Sequence, residues 1–238
     1  MPSLEAYRAE LDYSYAPGIF PSMECLLARP GDVRRLLVHS ASAGREGIEK
    51  LTALAAEHRI RTEEADRALG RISGKENCYA AAVFRKFRDE LRADRPHVVL
   101  HCPGDCGNIG TILRTALGLG LQDAALIRPC ADLFDPRTVR ASMGSLFRLR
   151  SRVYDSFEDY RAEFPDRPLY PFMLDASVPL GEIREIPPVY SLIFGNEGSG
   201  LPAGFASLGQ AVRIESNDLV DSLNLAVAAA IGIYRFTR

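Results

Sequence analysis

Three stretches of this 238-residue chain set polar side chains between glycines, a composition that lets backbone approach a ligand closely. The first is Cys102-Pro103-Gly104-Asp105-Cys106-Gly107-Asn108-Ile109-Gly110-Thr111-Ile112-Leu113-Arg114-Thr115-Ala116. Asn108 can cap the helix that this apolar run predicts, and Arg114 stands six residues later, about one and two-thirds turns on. An Arg among Ile112, Leu113 and Ala116 needs either an anionic partner or an exposed face. The second stretch is Phe194-Gly195-Asn196-Glu197-Gly198-Ser199-Gly200-Leu201-Pro202. It lacks the GxGxxG spacing of a dinucleotide fingerprint, and Pro202 arrives too soon for a long helix. Such a turn can still cradle a nucleoside against bare backbone, with Glu197 placed to accept from a hydroxyl or a cationic group; a plain glycine turn is the other reading. The third runs from Ile214-Glu215-Ser216-Asn217-Asp218 through Ser222-Leu223-Asn224 into a helix of small apolar residues. Ser222 is a natural N-cap for that helix, which leaves Asn224 without a structural reason.

The elements that must position these stretches alternate strictly from Pro96 onward. Strands are expected at 97–101, 124–127, 149–154, 169–174, 190–194 and 211–214, and helices at 109–119, 136–143, 156–163, 202–207 and 222–236. Repeated βα units predict an α/β fold with a parallel sheet covered by helices, and ligands in such sheets sit beyond the carboxyl ends of the strands. Before Pro96 the pattern is shorter: helices at 3–12, 19–29, 44–58 and 64–70, with strands at 33–39, 60–62 and 79–84. This predicts a small α/β domain over 1–92, a charge-dense connection over 85–95, and a second domain over 96–238.

Hydrophobic residues make up 47% and charged residues 25% of the chain, as in globular proteins with a real core. A net charge of −2 does not point to a protein that coats nucleic acid through bulk charge, and it leaves local basic patches open. Only three of the 29 basic residues are lysine; the Arg fork suits bidentate phosphate and carboxylate contacts, and a codon bias toward Arg is the other reading. No apolar run reaches the roughly 18 residues of a membrane span, and the opening MPSLEAYRAE has no apolar core of a secretory signal, so a cytoplasmic protein is expected. The five cysteines form no CxxC pair, and His101, Cys102 and Cys106 lack a further ligand set, so no metal is expected.

Asn108-x-Gly110-x-x-x-Arg114-x-Ala116, Phe194-Gly195-Asn196-Glu197-Gly198-x-Gly200-Leu201 and Ser222-Leu223-Asn224-Leu225-x-Val227-Ala228, in this order and at these separations, resemble the three motifs of the SpoU/TrmH family of RNA ribose methyltransferases. Arg140-Ala141-Ser142-Met143-Gly144-Ser145-Leu146-Phe147 is similar to a further segment of that family. The resemblance covers 96–238; more weakly, 14–84 resembles the family's small substrate-binding domain. It implies a SPOUT-type parallel sheet whose C-terminal chain forms a deep trefoil knot, S-adenosylmethionine bound in that knot, and a homodimer with the active site at the subunit interface. By position it implies Gly195, Asn196, Gly198, Ile214, Leu223 and Asn224 around the methyl donor. It implies Arg114 as the catalytic residue on a ribose 2′-hydroxyl, supported by Asn108, Glu197, Ser222 and Asn224.

A ribose hydroxyl is a poor nucleophile while a sulfonium methyl is already activated, so the enzyme must mainly align the two and assist proton loss. Because an Arg guanidinium keeps its proton, Arg114 is read as holding the adjacent phosphate and stabilising alkoxide charge rather than as a base. The chain departs from the family at Glu215, where proline is common, at Asn217, where glycine is frequent, and at Cys106-Gly107, before Asn108. The α/β N-terminal domain resembles that of the family's ribosomal-RNA members more than its transfer-RNA members, which implies a large-subunit ribosomal RNA as the expected substrate. The alternatives are a transfer-RNA ribose methyltransferase, a knotted methyltransferase acting on a base nitrogen, and a non-catalytic RNA-binding or ribosome-assembly protein of the same fold.

Overall fold

The computed structural model describes residues 5–73, 78–217 and 219–238. In chain order its strands and α-helices are β1 (Tyr13–Pro17), α1 (Ile19–Ala28), β2 (Val33–Val38), α2 (Glu46–Glu57), β3 (Thr62–Glu64), α3 (Asp66–Ser73), β4 (Ala80–Arg85), β5 (His97–His101), α4 (Cys106–Gly118), β6 (Asp123–Ile127) and α5 (Pro136–Ala141). There follow β7 (Arg150–Tyr154), α6 (Phe157–Glu163), β8 (Leu169–Pro171), β9 (Val178–Pro179), β10 (Ser191–Phe194), β11 (Val212–Arg213) and α7 (Leu225–Thr237). Contacts divide the chain into two units, Met1–Phe87 with Asp132–Arg148, and Arg88–Ala131 with Leu149–Arg238. Residues 132–148, which the sequence pattern puts with the domain after Pro96, thus group with the first unit.

The first unit is a four-stranded sheet in the order β1-β4-β2-β3, mixed in direction, with β4 antiparallel to both of its neighbours. Residues 80–84, Ala-Ala-Ala-Val-Phe, are fully or almost fully buried, as a central strand covered on both faces requires. Helix α1 buries Pro21, Ser22, Cys25 and Leu26, positions one turn apart that put a single face on the sheet. The buried Ser22 hydroxyl is satisfied twice, donating to the Ala16 carbonyl at 2.8 Å and accepting from the Ala82 N–H at 2.9 Å. Segment 132–148 completes this core. Phe147 meets Phe84 edge to face at 5.0 Å, Phe134 meets Phe87 likewise at 5.0 Å, and the Arg29 Nε donates to the Phe147 carbonyl at 3.1 Å.

The expected helix over 3–12 does not form at 5–12, and residues 3 and 4 lie outside the described residues. The Glu5 carbonyl is instead taken by the Tyr15 hydroxyl at 2.6 Å, and the chain turns at Arg8–Leu11 to enter β1, a strand the sequence reading missed. Residues 86–95 contain no helix.

The second unit holds a five-stranded sheet, all parallel, in the order β7-β6-β5-β10-β8. Val98, Val99, Leu100, Ala124, Ala125, Leu126, Leu192 and Ile193 are fully buried in it. Each large aliphatic side chain so placed contributes about 1.5–3 kcal/mol over its exposed state. Strand order runs outward from β5 to β7 on one side and to β8 on the other, so the switch point lies between β5 and β10, where open α/β sheets form their ligand crevice. Phe194 is in register with Leu100, which starts the loops after β10 and β5 at the same height.

At the opposite end of these strands a buried polar cluster ties the layers together. His97 Nε2 donates to the Arg92 carbonyl at 2.8 Å, which leaves Nδ1 to accept from the Tyr160 hydroxyl at 2.9 Å; that oxygen in turn accepts from Ser191 Oγ at 2.6 Å. Burial, and then the charge of Arg167, lower the His97 pKa to about 4, so the ring is neutral there. Among the described residues no helix is long and apolar enough to cross a membrane.

Candidate functional site

Helix α4 begins at Cys106, three residues before the expected start, because Asp105 caps it: its Oδ1 accepts the Asn108 N–H at 2.7 Å. Asn108 is therefore not the cap but the third residue of the helix, which frees its side chain to point away from the helix's own backbone. The helix ends as expected at glycine. Gly120 has φ +94°, and the Leu121 N–H reaches back to the Ala116 carbonyl at 2.9 Å.

After β10 the chain makes a closed loop, with the Asn196 N–H donating to the Gly200 carbonyl at 3.1 Å and the Gly200 N–H to the Asn196 carbonyl at 3.0 Å. Asn196 Oδ1 accepts the Gly198 N–H at 2.9 Å inside this loop, and its Nδ2 donates to the Cys102 carbonyl at 2.8 Å, joining the loop to the end of β5. Gly195 is required by close approach: a Cβ there would stand 2.2 Å from the Gly200 carbonyl carbon.

Helix α7 is capped not by Ser222 but by Asn224, whose Oδ1 accepts the Ala226 N–H at 2.8 Å and the Val227 N–H at 3.3 Å. Residues 222–223 stay outside the helix and lie along the cavity described below. The cap gives Asn224 the structural reason that sequence alone did not. Further on, Gly232 lets α7 lie against the rings of Phe172 and Phe194, since a Cβ there would come within 2.6 Å of Phe172.

The first two stretches meet at one carboxylate, and the third is tied to it through Asn108. Glu197 Oε1 accepts from the Asp105 N–H at 3.0 Å and from Asn108 Nδ2 at 3.1 Å; Oε2 accepts from the Gly104 N–H at 2.9 Å and from Asn196 Nδ2 at 3.3 Å. Asn108 Oδ1 then accepts from Asn224 Nδ2 at 3.1 Å, which extends the chain of hydrogen bonds to the start of α7. Burial alone would raise the Glu197 pKa, but the hydrogen bonds led by Gly104 and Asn108 outweigh it and hold this carboxyl below its usual range. With four donors on two oxygens Glu197 is a clamp between loops, without the free lone pairs of a general base.

Beside the clamp is a cavity of about 200 Å³. Gly195, Asn196 and Gly198 form one wall, Ile214, Ser222 and Leu223 another, and Phe172 and Leu174 close it with apolar surface. Backbone from a glycine loop facing aliphatic side chains suits a planar, hydrogen-bonding ligand group such as a nucleoside. Asn224, expected around the methyl donor, is not among the lining residues, although Leu223 and Leu225 on either side of it are. Arg114 and Ser222 are exposed, and among the described residues neither has a hydrogen-bond or ion-pair partner. The contributors that sequence reasoning missed are Asp105, Phe172 and Leu174. Asp105 had a readable signal, an acidic cap just ahead of an apolar helical run. Cys106 is buried in the first turn of α4, and among the described residues no group of three or more His, Cys, Asp or Glu could hold a metal ion.

The profile of the SpoU rRNA Methylase family matches residues 95–234. The sequence is similar to the 23S rRNA (guanosine(2553)-2′-O)-methyltransferase of Bacillus subtilis, 32% identical over 166 residues, which are 65% of this chain and 62% of that one. The fold is similar to that of an AdoMet-bound rRNA methyltransferase from Sinorhizobium meliloti, with a TM-score of 0.79 and 25% identity over 94% of this chain and 87% of the other. It is equally similar to the SpoU methyltransferase AviRb from Streptomyces viridochromogenes in complex with AdoMet, at a TM-score of 0.79 and 25% identity over 95% and 90% of the two chains. The chain spans less than two thirds of the length of the curated relatives it matches.

Proposed function

The chain belongs to the SpoU rRNA Methylase family, and from that premise we propose that it transfers the methyl group of S-adenosylmethionine to a ribose 2′-hydroxyl of RNA, ribosomal RNA in preference to transfer RNA. The observation that carries this reading is the convergence of all three motif loops, through Glu197, Asn108 and Asn224, beside one nucleoside-sized cavity at the switch point of the sheet.

The cavity suits the methyl donor in its chemistry. Gly195, Asn196 and Gly198 offer backbone and amide groups, Ile214 and Leu223 offer aliphatic walls, and Asn224 holds the start of α7 at the edge. S-adenosylmethionine supplies, when bound, a methyl group already activated on a positively charged sulfur. The protein's part is then to align the hydroxyl with that methyl and to relieve the charge that forms as the proton leaves. Arg114, exposed and without an internal partner, is free to hold the RNA phosphate next to the target ribose and to stabilise the developing alkoxide. Ser222 stands on the cavity wall within the same loop as Leu223, where its hydroxyl can hold the ribose. Asn108 and Glu197 fix the loops that carry these groups, and no metal is part of the proposal.

The rest of the reading follows the family. Residues 1–92 serve as the RNA-binding region and 96–238 as the catalytic one, with RNA contacts among the arginines of 85–95 and 137–152. The chain after β10 forms a deep trefoil knot, for which the likeness to the two AdoMet-bound structures is support. The protein acts as a cytoplasmic homodimer; Val227, Ile231 and Tyr234, 48%, 38% and 59% exposed at helical spacing on α7, support a second copy covering that stripe.

Isothermal titration with S-adenosylmethionine tests the donor site, and absence of binding refutes the enzyme reading. Mapping ribose methylation in RNA from a deletion strain tests the substrate: one lost mark in ribosomal RNA is expected. An intact ribosomal profile with one lost transfer-RNA mark moves the activity to transfer RNA.

A further inference from the structure

We propose that Asp105 is a positioning residue for methyl transfer, acting through Asn108; the proposal rests on the function proposed above. Residue 105 makes bonds in two directions at once. Its Oδ1 accepts the Asn108 N–H at 2.7 Å and so fixes the first turn of α4, while its own N–H donates to Glu197 Oε1 at 3.0 Å. The turn is close-packed against this side chain: a Cβ on Gly107 would stand 3.0 Å from Asp105 Oδ1.

The consequence lies in what Asn108 does from that position. Its amide is engaged at both ends, Nδ2 donating to Glu197 Oε1 at 3.1 Å and Oδ1 accepting from Asn224 Nδ2 at 3.1 Å. Loss of the cap lets the first turn fray, and three partners lose their register together: Glu197 loses donors on Oε1, Asn224 loses its acceptor, and Arg114 loses the fixed helix start that sets its height. The donor cavity, in contrast, is lined by residues of 172–174, 194–200, 214–216 and 222–228 and by none of 104–108. Asp105 therefore reaches the donor only indirectly, through Glu197, and its larger effect falls on turnover.

Three full-length variants test this. Asp105→Ala removes the cap, Asp105→Asn keeps an oxygen that can accept the Asn108 N–H, and Ser156→Ala removes the capping box of α6 as a control for lost helix-cap stability. The readouts are the dissociation constant for S-adenosylmethionine by calorimetry, kcat for transfer of labelled methyl to ribosomal RNA from a strain lacking the gene, and amide hydrogen exchange over 103–110, 195–200 and 224–229. Asp105→Ala is expected to lower kcat by about tenfold or more, to leave donor affinity within about threefold, and to speed exchange in all three segments. Asp105→Asn restores all three readouts, and Ser156→Ala lowers the melting temperature while leaving kcat and the three segments unchanged.

Unchanged kcat in Asp105→Ala, faster exchange confined to 103–110, an equal kcat loss in Ser156→Ala, or failure of Asp105→Asn to rescue would each overturn the proposal. A wild-type chain that neither binds S-adenosylmethionine nor transfers methyl refutes the function proposed above and with it the catalytic role of Asp105. The exchange measurement then decides separately whether Asp105 couples the three loops.

Discussion

Replacing Gly195 by alanine offers the sharpest test of how the donor loop is built. The added methyl would lie 2.2 Å from the Gly200 carbonyl carbon, 2.4 Å from its oxygen and 2.5 Å from the Leu201 nitrogen. Non-bonded carbons rest about 3.5–4.0 Å apart, so the loop must open by more than about 1 Å. Every atom in the way is backbone, held by the paired Asn196–Gly200 hydrogen bonds, so no side chain can turn aside to make room. The φ of Gly195 is not in the left-handed region, which leaves steric overlap as the whole cost.

Overpacking of this kind costs about 1–3 kcal/mol, and a rigid backbone contact belongs at the upper end. At about 3 kcal/mol the melting temperature of a chain this size falls by roughly 6–12 °C. Because 195–200 is also a wall of the donor cavity, affinity for S-adenosylmethionine falls with it. Thermal unfolding followed by circular dichroism, and calorimetric titration with the donor, measure the two effects. Gly204→Ala is the matched control, since nothing lies within 4 Å of a Cβ there and its φ is ordinary. A Gly195→Ala protein that melts within about 2 °C of wild type and binds the donor equally well would refute the steric argument.

Arg114→Ala should lower methyl transfer to RNA by about 100-fold or more while leaving calorimetric donor affinity unchanged, because Arg114 lines no part of the cavity. Asn224→Ala removes the α7 cap and the bond to Asn108, for a loss of about 2 kcal/mol in urea unfolding; Asn224→Asp keeps the cap and recovers about half of it. The pH dependence of stability carries the signature of His97. Its folded pKa of about 4 lies below the unfolded value near 6.5, so between these the unfolded chain binds a proton that the folded chain does not. Stability is thus full above about pH 6.5 and falls by about 3 kcal/mol as pH drops to about 4. His97→Leu should flatten this window, as read from denaturant midpoints across pH, while lowering stability at neutral pH because the Tyr160 O–H loses its acceptor and the Arg92 carbonyl its donor.

The parts of this architecture that were legible from sequence are those where local pattern and tertiary demand agree. Residues 97–101 read as a strand and form one, because β5 is the centre of the sheet and its residues 98–100 are apolar and fully buried. The end of α4 at Gly120 followed from chemistry within a single turn. Where two residues competed for one local role, the pattern could not decide between them. Asp105 took the cap expected of Asn108, and Asn224 took the one expected of Ser222, in each case releasing the other side chain toward the cavity or the clamp.

The site residues could be named from their motifs, but the work each does could not. Glu197 reads as a free acid in a turn, whereas its donors include two backbone N–H groups more than 90 positions away. Strand β1 was missed for a similar reason, since Tyr13–Pro17 is stabilised by pairing with β4, some 70 residues later in the chain.

The placement of segment 132–148 in the core around β1, α1 and β4 sets an order of events during synthesis. When Phe87 leaves the ribosome, the rings of Phe84 and Phe87 still lack Phe134 and Phe147, and the Arg29 side chain lacks the carbonyl it binds. About 60 more residues must be made before that core can close, a delay of roughly 3–12 s at 5–20 residues per second. During that interval β5, α4 and β6 emerge while the four strands of the earlier sheet are already made but part of the core packed on them is still missing. The nascent chain therefore carries exposed aromatic surface for several seconds, a window in which a chaperone has something to hold.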